Sequence, residues 1–267
     1  MIDSKDLWYK YQGVAHSNMY AADKKYYWYG SDNEGTWKEN ISDPNKKQRL
    51  EELGWIDKKI AYQFNHQGFR DEEFDARPAG LAFGCSFTQG VGVESQDSWP
   101  KQLQTMLNTH VWNMGIGGSS LDQVFRLVDH YLGIFDPLFV VVCCPPQERY
   151  EIWNQYNDPE QFLPRQPSNI QDPGLAKLTK TWLANENNGK FNYRKNKLAI
   201  EQLCYQKNVP VYIFNSSAIR IDKQARDLMH PGPSPLRDFA VYLYNHFLKK
   251  YRDKNLIAAD TADSKSQ

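Results

Sequence analysis

The sequence has no excess of charge of either sign: 32 Lys and Arg stand against 32 Asp and Glu, a formal net charge of zero at pH 7. No one-signed field surrounds such a chain, which argues against a nucleic-acid partner or an anionic membrane surface. Long hydrophobic runs are also missing. The longest, Leu138 to Cys144 (LFVVVCC), suits a buried strand and is too short to span a bilayer. Met1 to Lys10 (MIDSKDLWYK) lacks the basic start and apolar centre of a secretion signal, so a cytoplasmic location is expected. Cysteine is scarce, with four in 267 residues, two of them adjacent (Cys143 and Cys144). That argues against a disulfide framework and for reduced thiols. The adjacent pair misses the Cys-x-x-Cys spacing of zinc sites and no His-rich segment follows, so neither a metal nor another cofactor is expected. No internal repeat is visible.

Aromatic residues, in contrast, are plentiful, at 14% with eight tryptophans. A well-filled aromatic core is the common reason for such a content, and surfaces that stack on sugar rings are the other.

From residue 79 the pattern alternates between strand and helix. Ala79 to Phe83 is a short apolar run ended by Gly84. Ser98 to Leu107 follows as a helix, with Ser98 as its cap and Pro100 in the first turn, where a missing N–H costs little. Residues 110–116 (HVWNMGI) predict a second strand. Over 119–133, Leu121, Val124, Phe125, Val128, Tyr131 and Leu132 recur at helical spacing, with Ser119 or Ser120 as cap and Gly133 at the far end. Residues 137–145 (PLFVVVCCP) are continuously apolar, as a central strand covered on both faces should be. Helical signals return near 175–184 and over 193–206, and 209–217 (VPVYIFNSS) predicts another buried strand. A last helix is expected with Ser234 as N-cap and Pro235 as its first residue, its apolar stripe running from Leu236 to Leu248. Repeated strand–helix units of this kind predict a three-layer α/β fold, a parallel sheet with helices on both faces.

Three segments stand apart. Residues 1–78 form an N-terminal extension packed on the core; its aromatic run KKYYWYGSDNEGTW (24–37), broken by turn residues, predicts a hairpin or irregular segment. Its YYWY stretch is a minor candidate for a glycan platform. The domain proper covers 79–256, and the small polar tail 257–267 is expected to be disordered. Within the domain, the connection 145–174 is rich in Pro, Asn, Gln and aromatics. It is either a lid or acceptor wall presenting Tyr150, Trp153, Tyr156 and Phe162, or a loop folded onto its own cluster.

Ligands of an open parallel sheet bind at the carboxyl ends of its strands, and three features fall there. Ser86 lies just past the first strand in LAFGCSFTQGVGV (81–93), where a sharp turn at Gly84 can leave its hydroxyl exposed; on position alone, a serine that merely caps the following turn is the commoner case. The second strand ends in NMGIGGSS, whose glycines lead into a helix start with outward N–H groups, able to hold an oxyanion or simply to make a turn. ARDLMHPG (225–232) places Asp227 three residues before His230, so the carboxylate can accept the imidazole Nδ1–H and leave Nε2 free as a base. Each signal is weak alone; their order along the chain is not.

In that order the sequence resembles the SGNH (GDSL-type) hydrolase superfamily. FGCSFTQG (83–90) is similar to its first block, NMGIGG (113–118) to its second and DLMHPG (227–232) to its fifth. Upstream, NHQGFRDEEF (65–74) is similar to the lead-in of some phage-type members, which implies a viral or bacterial source. The resemblance spans roughly residues 65–250. It implies a flavodoxin-like, five-stranded parallel sheet and serine-dependent hydrolysis of an ester, with Ser86 as nucleophile, Asp227 and His230 completing a triad, and Gly118 as an oxyanion donor. A small ester or an acylated glycan is the implied substrate. The sequence departs from the family at the third block, usually Gly-x-Asn-Asp. Here the strand runs into CCPPQERYE (143–151), which has no Asn, and the nearest replacement donors are Gln147 and Arg149. Losing one oxyanion donor typically costs about 10²–10³ in turnover. Two other outcomes stay open: an acyltransferase, in which an alcohol rather than water resolves the acyl-enzyme, and a non-catalytic binding protein on the same scaffold.

Overall fold

The computed structural model describes residues 16–153, 159–162 and 173–253. In the N-terminal extension β1 (Lys25–Tyr26) pairs antiparallel with β2 (Tyr62–Gln63), and α1 (Glu34–Ser42) and α2 (Pro44–Glu52) lie between them. The hairpin expected over 24–37 becomes β1, a tight Tyr29–Asp32 turn and the start of α1. Both helices were missed because neither carries an apolar stripe; they are set by side-chain caps. Asn33 accepts the Thr36 N–H at 2.9 Å, and Asp43 accepts from Asn45 and Lys46.

The central sheet is built from β3 (Ala79–Gly84), β4 (His110–Gly115), β5 (Phe139–Cys144) and β8 (Val211–Asn215), all parallel, in the order β4-β3-β5-β8. β3, β4 and β5 are buried at every position, as strands covered on both faces must be. β8, expected to be buried, is only half-buried, whereas β4, at the opposite edge of the sheet, is fully buried. Four strands are thus in place among the described residues, and the fifth implied by the resemblance is not among them. A small separate ribbon, β6 (Tyr150–Trp153) with β7 (Pro159–Phe162), follows β5.

Each sheet face has its own core. On one, α4 (Trp99–Leu107) and α8 (Pro233–Leu243) pack Trp99, Leu103, Leu236, Phe239 and Leu243 on Ala82, Val111 and Val141, and the same cluster takes in Leu50, Trp55, Tyr62 and Phe64 of the extension. On the other, α5 (Leu121–Leu132) and α7 (Glu186–Gln206) press Val124, Leu127, Val128, Ile200 and Cys204 against Leu81, Phe83, Trp112, Met114 and Val142. α6 (Pro173–Leu183) packs on α7. Among the described residues, most aromatic side chains are buried in these two cores or packed against them. Tyr29 lies 4.7 Å from Phe64 between ring centroids and Phe74 lies 5.0 Å from Trp112; of the YYWY run, only Tyr27 is exposed.

Helix starts follow local chemistry. Ser120 caps α5 by accepting the Gln123 N–H, whereas Ser98, at the N-cap of α4, makes no cap bond and donates its hydroxyl to the Ser95 carbonyl. α8 corrects the expectation of a Ser234 cap: its N-cap is Gly232, and Pro233 takes the first helical position, where no N–H is needed. No helix among the described residues is long and apolar enough to cross a membrane. The tail 257–267 lies outside the described residues.

Candidate active site

β3 ends at Gly84. After an extended Cys85, the chain turns at once into the short helix α3 (Ser86–Gln89), which Gly90 closes with φ +78°. Ser86 therefore opens a helix at the carboxyl edge of a central strand. On the same edge, the loop after β8 brings in Asp227 and His230, with Leu228 between them in the left-handed region at φ +57°. The Ser86 hydroxyl lies 2.7 Å from His230 Nε2, and His230 Nδ1 lies 2.6 Å from Asp227 Oδ2. A carboxylate can only accept, so Nδ1 carries the proton and Nε2 is left to accept from Ser86. The three residues form one hydrogen-bonded line, 144 residues apart at its far link. Phe87 packs edge-on against the His230 ring, with centroids 5.5 Å apart.

Asp227 is buried in a set of donors. Its Oδ1 accepts the Met229 and His230 N–H groups, each at 3.0 Å. Its Oδ2 accepts from His230 and from the hydroxyl of Ser31, the latter at 2.6 Å. Burial works to raise its pKa, but the bonds from His230, Ser31 and Met229 outweigh it and hold the carboxyl below its ordinary value. The neighbouring Arg226 faces the other way. It donates to both Asp32 oxygens (2.8 and 2.7 Å) and to the carbonyls of Lys58 and Tyr27, and it stacks on Trp28 with its guanidinium carbon 4.1 Å from the ring centroid. Tyr62 donates to the same Asp32 carboxylate at 2.5 Å and accepts the Gly92 N–H at 2.8 Å. The extension is thus wired to the loop that carries Asp227.

Gly92 shows how closely that loop is seated. It has φ +78°, and a Cβ there would lie 2.7 Å from the Ala225 Cβ and 3.3 Å from Asp227 Oδ1. The Gly92 carbonyl also accepts the Arg226 N–H at 3.0 Å.

The other expected site residues lie as follows. Gly118 is half-buried, with φ +79°, in the turn between β4 and α5. The Ser119 hydroxyl ties that turn to the Gly84 carbonyl at the end of β3 (3.1 Å). Arg149 donates to the Ser119 carbonyl at 3.3 Å, which places its guanidinium beside the Gly118 turn. The Gln147 side chain is exposed, and no bond among the described residues links it to the serine, the histidine or that turn. Of the aromatics considered for a lid, Tyr150 is buried: its hydroxyl pairs with Thr179 at 2.9 Å and its ring packs on Trp182 at 4.7 Å. Tyr156 and the side chains of Trp153 and Phe162 lie outside the described residues.

All four cysteines are free and buried. Burial pushes the Cys143 thiol well up, Cys144 to about 11 and Cys204 to about 12, which keeps these three protonated. Among the described residues, Asp71, Glu72 and His110 could reach a common ion, but the Lys101 ammonium already pairs with Asp71 at 2.5 Å.

Sequence reasoning missed Ser31, Asp32 and Arg226. Ser31 is 196 positions from Asp227 and lies in an aromatic, turn-rich run with no motif of its own, so no local pattern marks it.

A hydroxyl, an imidazole and a carboxylate thus stand in one hydrogen-bonded line at the carboxyl edge of a parallel sheet. No family model matches the sequence, and no curated protein matches it. Among solved structures, the chain is similar to a GDSL-like lipase described from Bacteroides ovatus (16% identity, TM-score 0.36), covering 68% of this chain and 56% of that one. It is also similar to a Clostridium thermocellum family 3 carbohydrate esterase (13%, TM-score 0.37, 66% of this chain and 98% of that one). A family two carbohydrate esterase from Cellvibrio japonicus is another (11%, TM-score 0.35, 68% and 64%).

Proposed function

We propose that this protein is a serine-dependent ester hydrolase of the SGNH type, acting on a small ester or an acylated glycan. The observation that carries the reading is the unbroken line Ser86–His230–Asp227, with both links at 2.6–2.7 Å. In this reading His230 Nε2 takes the Ser86 proton as Oγ attacks the ester carbonyl carbon. The imidazolium then returns the proton to the leaving alcohol as the carbon–oxygen bond breaks. Water, deprotonated by the same nitrogen, resolves the acyl-enzyme and restores Ser86. Asp227 keeps the Nδ1–H tautomer in place and balances the imidazolium.

The oxyanion is assigned to the backbone N–H groups of Ser86 and Gly118. Ser86 opens a helix, where its N–H has no intrahelical acceptor. Arg149, held at the Gly118 turn, is assigned the place of the missing third-block Asn; a guanidinium can hold an oxyanion or an acidic group of the substrate. Hydrolysis of p-nitrophenyl acetate tests the reading. Wild type should turn over well above buffer, and His230→Ala should fall to background. Equal rates for the two, both at background, would favour a binding protein on this scaffold instead.

A further inference from the structure

We infer that Ser31, contributed by the N-terminal extension, is a positioning residue of the catalytic line, fixing the Asp227 carboxylate so that His230 stays aligned with Ser86; this rests on the hydrolase reading. Three observations carry it. The first is the direction of the bond. A turn serine ordinarily bonds its own backbone or water. The Ser31 hydroxyl instead donates across 196 positions to Asp227 Oδ2 at 2.6 Å, and its oxygen also stands 3.3 Å from His230 Nδ1. It is the second donor on the carboxylate oxygen that holds the imidazole. Without it, Oδ2 keeps the imidazole alone while Oδ1 keeps its two backbone donors.

The second observation is that the turn is made to present this hydroxyl. Tyr29 and Asp32 exchange both backbone hydrogen bonds (2.8 and 3.2 Å) around Gly30 and Ser31. Gly30 has φ +63°, and Ser31 is not among the residues of positive φ. Positive φ at the first central position alone is the type II′ arrangement, which calls for glycine there and leaves the second position, at the tip, to any polar residue.

The third is that both ends of the turn are anchored in the interior. Asp32 is clamped by Arg226 and Tyr62, and the Tyr29 hydroxyl donates to Asn18 at 2.7 Å. Arg226 and Asp227 are consecutive, so one loop grips the turn by its base and receives its tip. Such anchoring keeps the hydroxyl in place without help from substrate.

The test compares wild type, Ser31→Ala and Ser31→Thr, using p-nitrophenyl acetate kinetics and the low-field proton resonance of His230 Nδ1–H. A hydrogen bond to a charged group predicts a loss in kcat of roughly 10- to 100-fold for Ser31→Ala. KM should be unchanged, since Ser31 lies behind Asp227 and not at Ser86. Ser31→Thr, which keeps the hydroxyl, should recover most of the loss, and the resonance should move or broaden in the alanine variant only. Unchanged kcat together with an unchanged resonance would overturn the proposal. So would a loss in Ser31→Ala with an unmoved resonance and no recovery by threonine, because that pattern is structural damage. If wild type has no esterase activity, the hydrolase reading fails, and the resonance alone decides Ser31: a shift on removing the hydroxyl supports the contact, and no shift refutes it.

Discussion

Replacing Asp32 by alanine should destabilise this protein far more than an ordinary surface change. Asp32 and Arg226 are 2% and 3% exposed in their side chains, and the pair is doubly bonded. Removing the carboxylate leaves a buried guanidinium without its counter-ion, a change that costs about 3–5 kcal/mol. It also strips the buried Tyr62 hydroxyl of its acceptor, which belongs to the same network and so does not simply add. With a urea m-value of about 2–3 kcal/mol/M, the midpoint should fall by about 1–2.5 M. The eight tryptophans make intrinsic fluorescence a direct readout of that midpoint. Removing both partners together, Asp32→Leu with Arg226→Met, should cost clearly less than the two single losses summed, because no charge is then left buried alone. A midpoint shift under about 0.3 M for Asp32→Ala would refute the claim that this pair fastens the extension to the Asp227 loop.

Three further outcomes follow from the same geometry. Gly92→Ala drives a Cβ to within 2.7 Å of Ala225 and strains a left-handed backbone, so it should lower esterase kcat by displacing the Asp227 loop even where the protein still folds, as circular dichroism would report. Arg149→Ala should lower kcat by about 10²–10³ if the guanidinium stands in for the third-block Asn; a rise in KM alone would place it on the substrate instead. His16 and His110 should make stability fall as pH drops from 6.5 towards 4, against an opposing contribution from Asp71, which burial raises to about 6. Burial lowers His16 to about 4, and burial with Lys101 and Arg77 lowers His110 to about 3, so both are neutral in the folded chain while the unfolded chain takes up protons below 6.5. At these two sites the unfolded state binds more protons across that window, which makes their contribution to stability rise with pH there. Urea midpoints at pH 7 and 4.5 should differ less in a His16→Gln, His110→Gln variant than in wild type.

Much of the sheet was legible because buried parallel strands are continuous apolar runs: 79–84, 110–115 and 139–144 stand out without any tertiary information. Strand 211–215 was legible as a strand, but its partial burial was not, since burial depends on packing neighbours that the local pattern does not name. The helices of the extension were not legible at all. α1 has just Trp37 and Ile41 at helical spacing and α2 just Leu50, too few to mark a stripe, and capping side chains at Asn33 and Asp43 define them instead. At the site, Ser86, Asp227 and His230 stood out through their order along the chain and the resemblance it carries, each local signal being weak alone. The residues that hold Asp227 and its loop, Ser31, Asp32 and Arg226, work through pairings nearly 200 positions apart, and no single stretch of sequence encodes those. Arg149 could be singled out as a donor near the third strand, but its place against the Ser119 carbonyl depends on how two loops meet.

The central claim is that Ser86 is a nucleophile activated by His230. Labelling with a fluorophosphonate, followed by mass spectrometry of the modified peptide, tests it most directly. Wild type should gain one phosphonyl group on Ser86; Ser86→Ala should gain none, and His230→Ala should react far more slowly. A wild-type protein that stays unmodified, or equal labelling of wild type and Ser86→Ala, would contradict the account.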